Sequence, residues 1–462
     1  MLKGTTTIEL TDVKTGEKQV ITESNMITNA VHNLFQPTFG HLSTESTLRG
    51  YIPAYATLLG GILLFDSHIT ENVNQLYAPA GVTLTGCARY NTVNTSTGVV
   101  FGSYNTTESK YDSANKKMQF VYDFNTSQGN GTIASICLTH LDGGYGTYNS
   151  DIAYSAGGMK TFCTTPQTLT IGDKDQYSGI TTGAYFHLFA IDSSEDLAYY
   201  FSLPTANSLS FQSRRIGLKN FSLFSTAMPV VETSHTITLD HSIGTYRCYN
   251  FDRDDNALYI VSSTTSSLAV NAEFVVTKIN FGTWTVTQSV MTNSTDVTLY
   301  SSSTFAIVHR GYVYFRSNSS NYTYYKIQLG NSANVIQLSG GSSSYALIPI
   351  VAVGGRTYWQ YTNGSSTHRL YVTDEVTNRI NFSGNQYLHY ISYSASYSTS
   401  YAVPCFTPVI DNEMFYYISA GSRSHLTFYY LANYLATINN LSEPVTKTAD
   451  KTMKITYTIE EQ

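Results

Sequence analysis

The chain has 462 residues, of which 42% are hydrophobic and 13% charged, with a net charge of −6. That apolar content can build a sizeable core, which disordered chains cannot, and mild acidity without a basic block excludes nucleic acid or an anionic membrane as expected partners. The distinctive feature is 38 Tyr against 2 Trp among abundant Ser, Thr, Asn and Gly, a mixture that predicts an all-β protein of many short strands.

Residues 5–22 alternate around a Lys14-Thr15-Gly16-Glu17 turn and predict a β-hairpin. Ser24 is a candidate N-cap for one short helix, with Ile27, Val31, Leu34 and Phe35 on its apolar face and Pro37 stopping it. Hairpin and helix form a first segment, 1–40. From 41 to 175, Gly60–Asp66, Gly81–Tyr90, Lys116–Phe124 and Asn130–His140 read as strands separated by Gly, Asn and Ser turns, which predicts a β-sandwich.

From 183 to 442 the pattern repeats. A short polar start and an aromatic recur at Tyr199, Tyr259, Tyr314, Tyr358 and Phe415, spaced by about 50 residues. An apolar strand precedes each. Further on come a second apolar pair, such as Lys278-Ile279 or Tyr430-Leu431, and then a third short strand, of which the last is the ATINN stretch ending at Asn440. Four strands at that period match a β-propeller of about five kelch-like units, in which each small sheet covers its neighbours. The tail, 443–462, alternates Met453, Ile455, Tyr457 and Ile459 and is expected to return as a strand to the N-terminal region.

Motifs for chemistry are few. Thr277–Ser289, TKINFGTWTVTQS, resembles a sialidase Asp-box but has Asn280 in the aspartate place, lacks one spacer residue and occurs once. It aligns instead with Ser213–Ser225, which makes Trp284 and Phe221 packing positions between units. Asp252, Asp254, Asp255 and Asn256 carry alternating oxygens but lack the glycine and distant glutamate of a calcium loop. Asp192, Glu195, Asp374, Glu375 and Glu413 are the carboxylates open to a hydrolase reading. No metal spacing, nucleophile elbow, phosphate loop or dinucleotide fingerprint is present, so no catalytic, cofactor-binding or metal residues are expected. The Tyr387–Val403 segment offers Tyr387, Tyr390, Tyr393 and Tyr397 as candidate receptor contacts, since tyrosine gives large contact area at low entropy cost.

Cys87, Cys137, Cys163, Cys248 and Cys405 lie far apart, are odd in number and form no C-x-x-C pair. Free buried thiols of a protein made in a reducing cytosol are therefore expected. The N-terminal MLKGTTTIELTDV has no apolar signal-peptide region, and the run Tyr55–Phe65 is shorter than the about 20 residues that span a bilayer. Neither secretion nor membrane insertion is expected.

Three phrases in order, GTTTIELTDVKTGEKQVITESNMITNA, GGILLFDSHITENVNQLYAPAG and QFVYDFNTSQGNGTIASICLTH, cover roughly residues 4–145. They resemble structural proteins of tailed bacteriophages of Gram-positive gut bacteria, described as tail fibre, baseplate or receptor-binding components. The resemblance implies a non-enzymatic virion protein, made in the host bacterial cytoplasm and working in host attachment. Its implied partners are other virion proteins and a host cell-surface glycan or protein, and it implies a homo-oligomer. Two alternatives stay open: a purely structural baseplate or head-fibre and decoration protein, and a tailspike-type polysaccharide hydrolase.

Overall fold

A computed structural model of the chain describes residues 2–35, 54–79, 81–94, 99–112, 114–141, 143, 159–164, 182–183, 186–215, 231–301, 306–319, 321–342, 346–353, 355–362, 368–386, 406–418 and 427–461. The chain divides into two compact units. One comprises Met1–Gln36, Glu45–Lys160 and Leu431–Gln462, and the other Pro37–Thr44 and Thr161–Tyr430.

The first unit begins with β1 (Leu2–Asp12), β2 (Lys18–Ile27), α1 (Asn29–Phe35) and α2 (Ala54–Leu59). There follow β3 (Gly61–Phe65), β4 (Leu84–Arg89), β5 (Ser103–Tyr104), β6 (Lys110–Asp112), β7 (Lys117–Phe124) and β8 (Gly131–Thr139). The second unit supplies β9 (Met159–Thr164), which starts at the boundary, and then β10 (His187–Asp192), β11 (Leu197–Thr205), β12 (Ser208–Arg215), β13 (Val231–Thr238), β14 (Tyr246–Asp252), β15 (Ala257–Ser263), β16 (Ser267–Leu268), β17 (Glu273–Asn280), β18 (Val286–Thr292) and β19 (Leu299–Tyr300). It continues with β20 (Ala306–His309), β21 (Tyr312–Arg316), β22 (Tyr324–Gln328), β23 (Asn331–Gly340), β24 (Ile348–Val353), β25 (Arg356–Thr362), β26 (His368–Asp374), β27 (Arg379–Gln386), β28 (Phe406–Pro408), β29 (Phe415–Ile418) and β30 (Thr427–Leu431). The chain then returns to the first unit through β31 (Thr437–Lys447) and β32 (Lys451–Glu461).

The first unit is one sheet in the order β4-β3-β8-β31-β2-β1-β32-β7-β5, with β6 also on β7. Its ends approach each other: Cys87 in β4 donates its N–H to Val100 O and accepts from Gly102 N, both at 2.9 Å, beside β5. The sheet is thereby nearly closed into a barrel. Alternation explains the closure, because one face of each strand is apolar. Ile8, Leu10, Phe120, Tyr122, Met453, Ile455 and Tyr457 are all buried.

The hairpin forms as its turn chemistry dictates. Asp12 Oδ1 accepts the N–H groups of Lys14 and Thr15 at 2.8 Å, and Gly16 takes φ +73°, which glycine allows at no steric cost. Three expectations need correction. The strands of 41–175 form no separate sandwich: β31 lies between β8 and β2, and β32 between β1 and β7, so they share one interior with the hairpin. The helix cap is Thr28, whose Oγ1 accepts from Ala30 N, while Ser24 lies within β2, held there by its pairing with Thr5. A second short helix, α2, precedes β3, where one helix only is expected from the sequence.

The first and last strands of the chain pair along their length, from Leu2↔Glu461 to Asp12↔Lys451. Near them Lys447 is 1% exposed, and its Nζ donates to Asn125 O at 2.8 Å and Asn130 Oδ1 at 2.7 Å. Burial pushes this ammonium down to about 8, with Asp450 acting in the opposite sense. Between about 8 and the ordinary 10.5 the unfolded chain keeps a proton that the folded protein releases, so stability rises with pH across that window. Urea unfolding of the barrel at pH 7.5 and 9.5 is expected to show this gain, and Lys447→Met to lack it.

Among the described residues the second unit holds five four-stranded groups: β10-β11-β12-β13, β14-β15-β17-β18, β20-β21-β22-β23, β24-β25-β26-β27 and β28-β29-β30-β9, of which the third and fourth join into one eight-stranded sheet through a short parallel pairing of β23 with β27, while β16 and β19 pair separately. The recurrent aromatics Tyr199, Tyr259, Tyr314, Tyr358 and Phe415 each fall in the second strand of a sheet. These are the blades of a propeller-like fold. The innermost strands of the fifth and first blades bridge in parallel at Ile191 and Val409, and Asn250 of the second blade exchanges two 2.9 Å hydrogen bonds with Val308 of the third.

The fifth blade corrects the sequence reading. Its outer strand is β9, from upstream of the first blade, whereas the ATINN stretch opens β31 in the barrel. The propeller therefore ends at Tyr430 rather than near 442. A ring closes more firmly when its last sheet is completed by a distant strand than by its own hairpin, because separating the ends then breaks a ladder.

Blades bury their faces on one another, as a four-stranded sheet must. Phe189, Phe201 and Phe211 of the first pack on Leu258, Ile260 and Ile279 of the second. Tyr259, Val261 and Phe274 meet Val308, Phe315 and Ile327 of the third, and Tyr314 and Tyr324 meet Trp359 and Tyr371 of the fourth. Trp284 sits in the β17–β18 turn at φ +58°, after Gly282 at +88°. Its ring lies 5.0 Å from Phe211 and 5.3 Å, stacked, from His235 of the first blade. It is thus a packing residue between blades; Phe221, its counterpart, lies outside the described residues. Cys87, Cys137 and Cys248 are buried thiols, and Cys405 lies outside the described residues.

Candidate functional site

Antiparallel pairing puts two kinds of loop at opposite ends of the propeller. The turns after the first and third strands of each blade lie at one end, here the turn end. Those after the second strand, and the links between blades, lie at the other, the loop end.

The turn end gathers most of the charge, and its acids are engaged. Asp192 Oδ1 caps its own turn, accepting Glu195 N and Ser194 Oγ at 2.8 Å. Asp411 of the fifth blade accepts Ser193 N at 2.7 Å and Ser193 Oγ at 2.6 Å, tying that blade to the first. Asp252 accepts Asp254 N at 2.9 Å and meets Nδ1 of His309, in the third blade, at 3.0 Å. Arg310 Nε donates to Asp254 Oδ2 at 2.8 Å. Glu375 of the fourth blade accepts Lys326 Nζ at 3.0 Å and Tyr314 OH at 2.9 Å from the third. Arg253 reaches from the second blade to the fifth, donating to Val409 O at 2.9 Å and to Glu413 O.

These partners bear on two candidate chemistries. Asp252, Asp254 and Asp255 diverge, toward His309, Arg310 and the Tyr259–Lys278 pair respectively. Asn256 completes the turn at φ +47°. No group of three or more metal-ligating side chains occurs among the described residues. The hydrolase candidates fall in three different blades: Asp192 and Glu195 in the first, Asp374 and Glu375 in the fourth, Glu413 in the fifth. Asp374 caps its own turn through Val376 N and Thr377 N. What the arrangement does chemically is fasten blade to blade.

The fastenings differ in value. The Asp252–His309 pair is 1–2% exposed, whereas Asp254 and Arg310 are 40% and 55% exposed. Asp252→Ala is expected to cost about 2–4 kcal/mol, because it strands buried donors, and Asp254→Ala less than about 1 kcal/mol. Urea unfolding of the two variants checks the order.

The loop end carries hydroxyls, amides and aromatic rings, together with the exposed acids Asp240, Glu273 and Asp296. Successive blades repeat one motif, a Ser or Thr hydroxyl closing the loop: Thr205 with Ser208 at 2.9 Å, Ser263 with Thr265 at 3.3 Å, Ser317 with Ser319 at 3.1 Å. Such turns suit short polar side chains that bond their own backbone. Arg316 stacks 3.6 Å from the ring centre of Tyr300 and 5.7 Å from that of Tyr322. This cluster went unnoticed in the sequence, where a single arginine after a strand carries no signal. β27 ends and β28 begins at this end, but Tyr387, Tyr390, Tyr393 and Tyr397 between them lie outside the described residues.

No protein family and no curated protein matches the sequence. Solved structures match at low similarity only. A prolyl endopeptidase is 10% identical with a TM-score of 0.28, and the match covers 71% of this chain and 50% of that one. A subtype N10 neuraminidase-like protein of A/little yellow-shouldered bat/Guatemala is 12% identical with a TM-score of 0.27, covering 49% and 62%. The β-propeller domain of the Trilobed protease from Pyrococcus furiosus, which has an open velcro topology, is 9% identical with a TM-score of 0.25, covering 66% and 76%. Likenesses at this level carry no argument about chemistry or partners.

Proposed function

We propose that the chain is a non-enzymatic virion protein of a tailed bacteriophage that attaches the particle to a host cell surface through the loop end of its propeller. The observation that carries this reading is the division of the propeller into two ends. Acids and bases at the turn end are engaged in fastening blades, while the loop end presents hydroxyls and tyrosines around a nearly buried arginine. That inventory suits a sugar surface, which offers hydroxyls to bond and ring faces to stack on. The resemblance of residues 4–145 to tail-fibre and baseplate components supports the virion setting. In this reading the barrel, which carries both chain ends, attaches to other virion proteins, and several copies per particle raise a weak single-site affinity through effective concentration.

The test is saturable binding of the full-length labelled protein to a panel of Gram-positive gut isolates, with reducing ends assayed in the same samples. Binding without cleavage is the expected result. Release of reducing ends would replace this reading with the tailspike-type hydrolase, and neither binding nor release would leave a structural baseplate or decoration protein.

A further inference from the structure

Arg316 closes β21 at the loop end of the third blade and is only 7% exposed. Its Nη1 donates to Ser317 O at 3.2 Å. Its Nε has no hydrogen-bond partner, and no carboxylate among the described residues pairs with it. Burial lowers its pKa from the ordinary arginine value, with the neighbouring tyrosines opposing. Several other buried bases have more: Lys326 has Glu375, His309 has Asp252, Lys447 has two oxygens and Arg214 has the Gln212 amide oxygen.

Two buried hydroxyls without partners lie on the same stretch of this blade. They are Ser301 Oγ, in a residue 0% exposed, and Thr323 Oγ1. The backbone brings them toward Arg316. Leu299 bridges Ser317, Ser317 N donates to Thr323 O at 2.7 Å, and Thr323 N donates to Ser317 Oγ at 2.9 Å.

A guanidinium has five donors and no acceptor, and it stays charged at any physiological pH. Buried without a counter-charge, it is costly to the fold. An oxyanion with two coplanar oxygens is the group that matches its fork. Tyr300 and Tyr322, both partly exposed, supply the flat surfaces on which a sugar ring lies. We infer that Arg316, Tyr300 and Tyr322 form a subsite for the oxyanion group, carboxylate or phosphate, of an acidic glycan, with the unpartnered Ser301 and Thr323 hydroxyls behind them. The inference rests on the receptor-binding reading and names its ligand class.

The experiment follows thermal unfolding of the full-length protein in sodium glucuronate, in sodium glycerol phosphate, and in sodium chloride of equal ionic strength. In at least one of the first two, the wild-type propeller transition is expected to rise by about 2–4 °C over chloride, as ligand binding to the folded state requires. The salt that acts identifies carboxylate or phosphate. Arg316→Met is expected to lose the rise while melting in chloride no lower than the wild type, because a buried lone cation has been removed. Arg316→Lys keeps the charge without the fork and is expected to retain less than half of the rise.

No rise in either salt for the wild type overturns the subsite, as does an equal rise in Arg316→Met, or in Arg316→Lys should the methionine variant not fold. The two readings fail separately. Cell binding that is equal in wild type and Arg316→Met, with no response to either salt, removes the subsite and leaves the receptor reading. A salt response without cell binding does the reverse.

Discussion

Raising the pH beyond 10 is expected to unfold the protein over a narrow interval. Tyr122 and Tyr457 in the barrel, and Tyr259, Tyr314 and Tyr324 in the propeller, all have phenol pKa values raised above the ordinary 10, in each case chiefly by burial. Nearby carboxylates add to the rise at Tyr259, through Asp255, and at Tyr314, through Glu375. The sign follows from proton counting. Above pH 10 the unfolded chain releases phenolic protons that the folded protein retains, so each such tyrosine supports the fold fully below pH 10 and progressively less above it.

Each contributes about 1.4 kcal/mol per pH unit once the unfolded phenol is ionised. Three together in the propeller give a slope of roughly 4 kcal/mol per unit, and stabilities of about 5–15 kcal/mol are then exhausted within a few units. Phenolate absorbance and circular dichroism recorded together provide the check, and the two signals are expected to change as one step for the buried set. Smooth ionisation of every tyrosine with the β signal intact would refute the account. Lys447 acts oppositely between about 8 and 10.5, which puts the most stable pH of the barrel near the upper end of that window.

Trp359→Ala is expected to cost about 3–5 kcal/mol, the range for deleting a large buried aromatic. The side chain is 0% exposed between the third and fourth blades, its ring centre 5.3 Å from that of Tyr324, and its Nε1 donates to Thr373 Oγ1 at 2.7 Å. Truncation opens a cavity there and leaves the threonine hydroxyl without its donor. Trp359→Phe keeps most of the volume and is expected to lose less than half as much. Chemical unfolding measures both, and a loss below about 1 kcal/mol for the alanine variant would mean that this interface does not hold the ring.

Local pattern made the blades legible. Each second strand carries a tyrosine or phenylalanine flanked by apolar residues, as in β15 and β21, which are buried on both faces over most of their length, and turns are marked by Asp, Asn or Gly. Trp284 could be assigned to packing from its alignment one unit earlier, and its contacts with Phe211 and His235 agree. Pairing between distant segments was not legible. The ATINN stretch has the same apolar character in β31 as it would have in a fifth blade, and nothing local says that β9 takes its place. For the same reason the sandwich expected over 41–175 is part of a larger sheet. The site followed the same rule. Asp252 and Glu375 could be placed in turns, but their partners His309 and Lys326 lie in another blade, and Asp411, which holds Ser193 of the first blade, drew no notice. Arg316 is conspicuous only in three dimensions, as a charge with no acid beside it.

The placement of the last strands has a consequence for how the molecule is made. The fifth blade needs β9 and β30, and the barrel needs β31 and β32 between strands synthesised roughly 300 to 450 residues earlier. On the ribosome, therefore, neither unit can be completed until nearly all of this sequence has emerged. Contacts of such sequence separation fold slowly, and open sheet edges remain exposed meanwhile. A nascent chain interrupted before β30 would carry two unfinished units rather than one finished and one missing. Production thus delivers whole molecules or aggregation-prone fragments, with no half-built but working intermediate.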